Sequence, residues 1–358
     1  MEKQYRNILI IKPSALGDVV HALPVLDALR TAFPEARISW MIREEFAPLL
    51  ECVRGLDETL LFRRRQMGRW YAPEGWTALR ELLVQLRSER YDLILDLQGL
   101  LRTALFAWLS GCKNRVGMTT ARELAPLFYT QRVRPASDSL HMVDRYRGML
   151  EAIGVTTFQP HGTLEPPASA VQRVGHLLED AGLEPKRFAA LIPGAAHTSK
   201  QWPIERFAVV AEGISKHFGL ALAAVGTAGE KKIIAALQQN CVAPVADFSG
   251  KTTIPQLVAL LGQAHLVVSN DTGPGHIAIA QRVPTVLIFG PTNPAWVGPY
   301  QQPEAVVAIE PNQRDKAIRS RDPAHRIEHI TVQAVMDAVR RQLGRASGDS
   351  RQRRRHLC

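Results

Sequence analysis

Short apolar runs alternate with amphipathic segments along the first half of the chain. The strand-like runs are residues 8–11, 37–42 and 93–97, and a helical segment near residues 19–33 separates the first two. Short apolar runs that alternate with longer helical patterns are typical of parallel strands joined by crossover helices. The pattern therefore predicts an α/β domain built on a parallel sheet.

The second half of the chain repeats this pattern. Residues 188–192, 220–225 and 265–269 read as strands, and the segment 203–218 places apolar residues at helical spacing, namely Phe207, Val210, Ala211 and Ile214. Thr253 and Gln256 form a capping-box pattern that opens a further helix. These signals predict a second α/β domain.

The stretch 156–168 between the two halves is weakly patterned and contains Pro160, Gly162, Pro166 and Pro167. We place the domain linker there, with one domain at 1–160 and the other at 170–330.

The C-terminal region has two predicted parts. A helix at about 331–343 carries Val332, Val335, Met336 and Val339 on one face, so it needs an apolar surface. We expect residues 331–344 to pack back onto the first domain, as such helices often do in two-domain transferases. Residues 345–358 are rich in Arg, Ser and Gly and lack apolar periodicity, which predicts a disordered basic tail.

Length and composition fit a two-domain globular protein. The chain has 358 residues, 46% hydrophobic and 22% charged, which is too long for one compact core. No apolar run approaches the roughly 20 residues that cross a bilayer. A predicted strand stands where a signal peptide would carry its apolar stretch, so we expect a cytoplasmic protein.

The formal net charge of +10 favours an anionic partner. Arginines at 63, 64, 65 and 69 lie beside the aromatic residues Trp70, Tyr71 and Trp76, an arrangement that suits an anionic lipid head group or membrane surface but equally an ordinary exposed loop. No nucleic-acid recognition signature accompanies the charge, so we expect no nucleic-acid partner. The cysteines Cys52, Cys112, Cys241 and Cys358 are too dispersed for a zinc site or disulfide frame.

The segment 269–276, Ser-Asn-Asp-Thr-Gly-Pro-Gly-His, follows a buried strand and opens a helix. A helix N-terminus offers free N–H groups, and Gly273 and Gly275 let the backbone approach an anion, so the segment predicts a diphosphate cradle. Thr272 and His276 can donate hydrogen bonds, and Asp271 can orient the loop or take a sugar hydroxyl. The alternative is a turn that caps a structural helix.

Two further loops follow strands of the same predicted sheet. The loop 192–203 contains Lys200, which can neutralise charge on a leaving diphosphate or can be an ordinary surface lysine. Glu230 follows the next strand and can accept ribose hydroxyls or can stabilise a helix N-terminus. Ligands bind beyond the carboxyl ends of parallel strands, so these loops are expected to face one cleft.

In the first domain, residues 12–21 link the first strand to the first helix. Only Gly17 is available there, so the Gly-x-Gly-x-x-Gly of a nicotinamide-binding site is missing. Asp18 would sit at the mouth of the cleft, where a carboxylate can take a proton from an attacking hydroxyl. An N-cap aspartate is the competing interpretation.

With these loops assembled, the chain resembles the family 9 glycosyltransferases, the lipopolysaccharide heptosyltransferases. The matching segments are 12–18, 96–99, 193–194 with 200–203, 271–273 with His276, and 289–294. Within the family the segments 120–123 and 127–129 are most similar to the enzymes that add the first heptose.

The resemblance implies a GT-B fold of two Rossmann-like domains whose parallel sheets face each other across a cleft. It implies transfer of heptose from ADP-heptose to Kdo2-lipid A with inversion, without an essential metal or cofactor, at the cytoplasmic face of the inner membrane. Asp18 becomes the general base for the Kdo hydroxyl, and Lys200 becomes the catalytic lysine that holds the diphosphate and stabilises it as ADP leaves. The implied donor-binding residues are Pro193, Gly194, Thr198, Ser199, Glu230, Asp271, Thr272, Gly273, Gly275 and His276. The implied acceptor-binding residues are Ser14, Gly17, Arg63, Arg64, Arg65, Gln98 and Arg122.

Other functions remain open at this point. An enzyme of the family could add the second heptose or could modify a protein. A catalytically silent nucleotide-binding protein could keep the cradle at 271–276 but would have no reason to keep both Asp18 and Lys200.

Overall fold

The computed structural model describes residues 4–69, 71–136, 140–314 and 316–355, with side chains described up to residue 344. The chain divides into two compact units, Met1–Thr163 and Leu164–Cys358. The boundary falls within the stretch 156–168 that the sequence suggested as a linker. Trp70, which belongs to the predicted interfacial cluster, and residues 356–358, which include Cys358, lie outside the described residues.

The first unit contains a six-stranded sheet in the order β3-β2-β1-β4-β5-β6, and every neighbouring pair is parallel. Its strands are β1 (Asn7–Ile11), β2 (Arg37–Arg43), β3 (Glu58–Phe62), β4 (Leu93–Asp96), β5 (Arg115–Met118) and β6 (Gln131–Val133). Its helices are α1 (Leu16–Ala32), α2 (Arg64–Met67), α3 (Pro73–Ser88), α4 (Leu101–Leu109) and α5 (Met142–Glu151). The strands predicted at 8–11, 37–42 and 93–97 are confirmed within one or two residues.

The second unit repeats this architecture with the order β12-β11-β10-β7-β8-β9, again parallel throughout. Its strands are β7 (Phe188–Ile192), β8 (Ala221–Ala224), β9 (Val245–Asp247), β10 (Leu266–Asn270), β11 (Thr285–Phe289) and β12 (Val306–Ala308). Its helices are α6 (Ala168–Asp180), α7 (Ile204–Phe218), α8 (Lys231–Gln239), α9 (Ile254–Gln263), α10 (Gly273–Ala280), α11 (Pro294–Val297) and α12 (Val332–Arg355).

Local sequence signals explain where several of these helices begin. Thr253 caps α9, its backbone N–H donates to Gln256 Oε1 (3.0 Å), and its hydroxyl accepts from Gln256 N, as the capping-box pattern predicts. The predicted apolar face of α7 is buried in the core of the second unit. Helix α7 ends at Phe218, and the C-cap residue Gly219 has a φ of 65°, which suits a glycine.

The C-terminal helix is longer than the sequence predicts. Helix α12 continues to Arg355, so the expectation of a disordered tail from residue 345 is wrong for residues 345–355. The glycines at 344 and 348 do not interrupt it, and Arg and Gln are good helix formers. Its apolar face, with Val335, Met336 and Val339, completes the core of the second unit. The predicted packing of this helix onto the first domain stays a prediction.

Parallel order places the segments that follow the strands at one edge of each sheet. In the first unit this edge carries residues 12–18, Arg63, Gln98 and the segment after β5. In the second unit it carries the loops after β7, β8, β10 and β11. None of the described helices combines the length and the apolar character needed to cross a membrane.

The packing of α10 gives a prediction about stability. A Cβ on Gly275 would lie 2.4 Å from Leu287 Cδ2 and 2.9 Å from Ser269 Oγ, because α10 packs closely against the sheet. We expect Gly275→Ala to lower the free energy of unfolding by about 1–3 kcal/mol through overpacking. Urea unfolding followed by circular dichroism measures this.

The matched control is Gly262→Ala in α9, where a Cβ would find its nearest neighbour at 3.8 Å. Helix propensity alone makes this control neutral or more stable by up to about 1 kcal/mol. Equal effects of the two substitutions would contradict the packing argument.

Candidate active site

Asp271 is the centre of the candidate site in the second unit. It follows β10, and its carboxylate is almost fully buried. Lys200 Nζ donates to Asp271 Oδ2 (2.5 Å), and His276 Nε2 lies 3.3 Å from Asp271 Oδ1. The structure thus brings together three residues that the sequence placed on two different loops.

The electrostatics of this cluster favour an ionised carboxylate. Burial acts to raise the pKa of Asp271, but the hydrogen bond from His276 and the charge of Lys200 outweigh burial and hold the pKa well below its usual range. Both carboxylate oxygens are used within the protein. Asp271 therefore orients Lys200 and His276. Its predicted contact with a sugar hydroxyl stays a prediction.

Asn270 ties the same two loops together from beneath. Its side-chain amide donates to the Pro193 carbonyl (2.7 Å), and its side-chain oxygen accepts from Trp202 N (3.2 Å). The sequence analysis did not single out Asn270. The only available signal was its position between a buried strand and Asp271, which does not reveal bonds to residues about 70 positions away.

The N-terminus of α10 lies open beside Asp271. Thr272 is the N-cap residue, but its side chain makes no capping hydrogen bond; its hydroxyl lies 3.2 Å from Ser269 Oγ instead. Pro274 has no N–H, so the first turn offers the N–H groups of Gly273 and Gly275, and the side chain of Thr272 does not cap them. These two groups and the helix dipole suit an anion. Gly275 is buried and faces Leu287, so its small size is required for helix packing.

Glu230 contacts both the β8 loop and the β7 loop. Its Oε2 accepts from Thr227 N (2.7 Å) and from the Thr227 hydroxyl (2.9 Å), which is the helix-start role that was one of its two interpretations. A Cβ on Gly194 would lie 1.9 Å from Glu230 Oε1, so only glycine allows this approach. In the same β7 loop Thr198 and Ser199 are exposed, and Pro193 is buried.

In the first unit, Asp18 lies in the first turn of α1 and is partly exposed. Its Oδ2 lies 3.4 Å from the Lys12 ammonium and accepts, also at 3.4 Å, from Ala15 N. Lys12 is buried. Burial acts to lower the pKa of Lys12, but Tyr146 and Asp18 outweigh burial and raise the pKa above its ordinary value. The N-cap residue of α1 is Ala15 and Asp18 is the third helical residue, so the N-cap interpretation of Asp18 is wrong. Asp18 combines its position in the first turn with a fixed cation and an exposed side.

Ser14 and Gly17 flank this turn, with Ser14 half-buried and Gly17 buried. Tyr146, from α5, was not found from the sequence, because a tyrosine on the buried face of an amphipathic helix looks like an ordinary core residue. Burial raises the pKa of its hydroxyl, and Lys12 partly offsets this.

The predicted acceptor cations have different partners. Arg63 pairs with Glu81 (2.7 Å), and Arg65 lies 3.5 Å from Glu45. Arg64 is exposed and lines a cavity of about 360 Å³ together with Arg102, Phe62 and Leu79. Among the described residues Arg64 has no acidic partner.

Gln98 and Arg122 are linked through Gly99. Asp96 Oδ1 accepts from Gln98 N (3.0 Å) and Gly99 N (3.1 Å), and Arg122 N donates to Gly99 O (2.9 Å). The Arg122 side chain is exposed and makes no ion pair with any described residue. In the described part of the chain, His, Cys, Asp and Glu side chains form no group of three or more that could hold a metal ion.

Comparison with known families identifies the site. Residues 79–327 match the model of glycosyltransferase family 9 (heptosyltransferase). The chain belongs to glycosyltransferase family 9. The protein is therefore a glycosyltransferase, and the segments that carried the resemblance in sequence are the segments that build these two sheet edges.

One curated relative and two solved structures show how far the similarity extends. The chain is 27% identical over 339 residues to lipopolysaccharide heptosyltransferase 1 of Escherichia coli K12, covering 93% of this chain and 99% of that protein. A family 9 glycosyltransferase from Veillonella parvula superposes with a TM-score of 0.80 at 25% identity, covering 96% and 98% of the two chains. E. coli heptosyltransferase WaaC with ADP gives a TM-score of 0.73 at 24% identity, with 94% and 99% covered. The two parallel-sheet units therefore have the α/β, GT-B-type architecture that the resemblance implied.

The buried carboxylate makes stability depend on pH. We expect Asp271→Asn to lower the free energy of unfolding by about 3 kcal/mol at neutral pH, because the partly buried Lys200 loses its charged partner. A carboxyl group whose pKa is lower in the folded state stabilises the folded protein fully at pH values above its unfolded-state pKa of about 3.9. This stabilisation is lost as the pH falls toward the folded-state pKa. The difference between wild type and variant should therefore shrink below about pH 4.

Urea unfolding at a series of pH values measures this difference. The control is Asp337→Asn, which removes an exposed ion pair with Arg340 and should change stability by at most about 1 kcal/mol. A difference for Asp271→Asn that is small at neutral pH, or that grows on acidification, would show that the cluster is not a stabilising ion network.

Proposed function

We propose that the protein transfers L-glycero-D-manno-heptose from ADP-heptose to a Kdo residue of Kdo2-lipid A, the first heptose addition in the lipopolysaccharide inner core. The observation that carries this proposal is the similarity to heptosyltransferase 1 of E. coli along nearly the whole of both chains. The related WaaC structure contains ADP, which supports the choice of nucleotide.

The second unit would bind the donor. The diphosphate would lie against the uncapped first turn of α10, where N–H groups and the helix dipole favour negative charge. Lys200 Nζ has N–H donors beyond the one that Asp271 accepts, so it can also contact the diphosphate. Glu230 Oε1 would accept from the ribose, and Thr272 would add a hydroxyl.

We propose further that this arrangement replaces a metal ion. As the bond between the anomeric carbon and the diphosphate breaks, negative charge grows on the departing ADP. Lys200, held in place by Asp271, and the dipole of α10 are fixed charges aimed at that group, and such preorganised charges stabilise a transition state strongly.

The first unit would supply the base. The acceptor hydroxyl gives its proton to Asp18, its oxygen forms a bond to the anomeric carbon, and the bonding electron pair to the diphosphate leaves with ADP. A single displacement of this kind inverts the anomeric configuration. Arg64 and Arg122, the candidate cations without acidic partners among the described residues, would bind phosphates and carboxylates of the acceptor.

Because Kdo2-lipid A is a membrane lipid, the proposed reaction places the protein at the cytoplasmic face of the inner membrane. This location is part of the proposal and is supported by the exposed cations of the first unit.

Replacement of the base tests the proposal. We expect Asp18→Asn to lower kcat by about 10²–10⁴-fold, because the amide cannot take the proton, while the affinity for ADP is unchanged. Product formation with ADP-heptose and Kdo2-lipid A gives kcat, and calorimetry gives the affinity. The control Asp27→Asn removes a carboxylate from the same helix and should leave both values near wild type.

An Asp18→Asn enzyme with wild-type kcat would exclude Asp18 as the base. No turnover of Kdo2-lipid A by the wild-type enzyme, with ADP still bound, would instead point to an already heptosylated core or to a protein acceptor.

Replacement of the lysine tests how the leaving group is stabilised. We expect Lys200→Met to lower kcat by about 10²–10³-fold, since one preorganised charge on the leaving diphosphate is lost. Addition of Mg²⁺ should not restore it. Steady-state kinetics with and without Mg²⁺ measures both; full rescue by Mg²⁺ would indicate a metal-dependent reaction.

A further inference from the structure

An apolar surface that the proposed reaction does not use lies on the first unit. On α4, Leu101 is 37% exposed and Trp108 is 51% exposed. Leu127 is 66% exposed in the neighbouring 3-10 segment Ala125–Phe128, and Leu124, the residue before that segment, is 70% exposed. With Phe128, these residues define the α4 surface. Large apolar side chains gathered in this way mark an interaction site.

The geometry makes this surface continuous. Leu124 directly precedes the 3-10 segment that carries Leu127, so both exposed leucines belong to one short stretch of chain. The rings of Trp108 and Phe128 meet edge to face, with centroids 6.0 Å apart, and join the helix to the 3-10 segment. Beneath them, Ala104, Ala125 and Tyr129 form a small buried cluster that fixes the two elements together.

The backbone presents Leu124 outward at a conformational cost. Glu123 and Leu124 have φ values of 56° and 64°, in the left-handed region that non-glycine residues rarely adopt. The strained backbone exposes an apolar side chain to solvent, and this exposure does not contribute to the free energy of folding. Arg115 supports the segment, because its guanidinium donates to Phe128 O (2.7 Å).

The segment that carries the α4 surface is strongly basic. Residues 101–134 contain six basic residues and a single acidic residue, Glu123. Five of the basic side chains are exposed, namely Arg102, Lys113, Arg122, Arg132 and Arg134. A partner for this surface must therefore be anionic at its boundary and apolar beneath it.

We propose that the α4 surface docks the protein on an anionic phospholipid bilayer. Leu124 and Leu127 enter the acyl boundary, Trp108 lies at head-group level, and the surrounding cations contact lipid phosphates. The proposal rests on the proposed function only because a lipid acceptor gives docking a purpose. The Arg63 to Trp76 cluster stays a separate prediction; two of its cations, Arg63 and Arg65, already pair with Glu81 and Glu45.

Vesicle flotation tests this directly. Wild-type protein should float with vesicles of phosphatidylglycerol and phosphatidylethanolamine but not with vesicles of phosphatidylcholine alone, and added salt should weaken binding. The double variant Leu124→Asn, Leu127→Ser should bind the anionic vesicles at least about tenfold more weakly than wild type. The reason is that the variant loses the burial of two leucine side chains in the bilayer. Asn suits the left-handed backbone at position 124.

The control variant is Val209→Ser with Val242→Ser, which removes two exposed apolar side chains from the second unit and should not change vesicle binding. Turnover of ADP-heptose with a deacylated, water-soluble Kdo acceptor should be the same in wild type and the double variant. Because the flotation assay contains no nucleotide sugar, it reports docking whether or not the proposed function is correct.

Three results would overturn the proposal. The first is that wild type does not bind anionic vesicles, and the second is that wild type and the double variant bind them equally. The third is that the double variant loses both vesicle binding and turnover of the deacylated acceptor. The last result would place the two leucines in acceptor binding.

Discussion

A buried carboxylate at the end of β10 constrains the architecture of the second unit. Asp271 is charged and almost inaccessible to water, so its charge must be matched by neighbours within the protein. Lys200 and His276 provide the match, one from the loop after β7 and the other from the first turn of α10. This requirement fixes a cation beside an open helix N-terminus, which is the combination that binding of a diphosphate needs. Asn270 fixes the same pair of loops through their backbones.

The first unit also contains a lysine–aspartate pair, but there the lysine is the buried residue. Lys12 is buried, and it lies 3.4 Å from Asp18, whose other side is exposed. A fixed cation orients the carboxylate while leaving it accessible to a substrate hydroxyl. Each unit therefore pairs a lysine with an aspartate at the carboxyl edge of its sheet, but the buried partner is the aspartate in one unit and the lysine in the other. In both pairs the more buried residue holds the less buried one in place by charge and hydrogen bonding.

The sequence predicts the central strands and the loops that follow them well, because buried parallel strands are short apolar runs and their order along the chain determines which edge they share. It does not predict β3, β5 or β6 in the first unit, nor β9, β11 or β12 in the second. Arg115–Met118 and Gln131–Val133, for example, are short and mix polar with apolar residues. Long-range bonds are also missed: nothing local relates Asn270 to Trp202 or Tyr146 to Lys12. Gly275 is identified as a special position, but the reason is packing against Leu287. The ion pairs of Arg63 and Arg65 depend on Glu81 and Glu45, whose proximity only the fold determines.

The central claim is that these two sheet edges form a metal-independent heptosyltransferase that acts on Kdo2-lipid A. Release of ADP from ADP-L-glycero-β-D-manno-heptose, measured with Kdo2-lipid A as acceptor in the presence and absence of a chelator, tests it most directly. The account predicts turnover that requires the acceptor and that survives the chelator unchanged. Turnover that the chelator abolishes, or the absence of turnover with this acceptor, would contradict it.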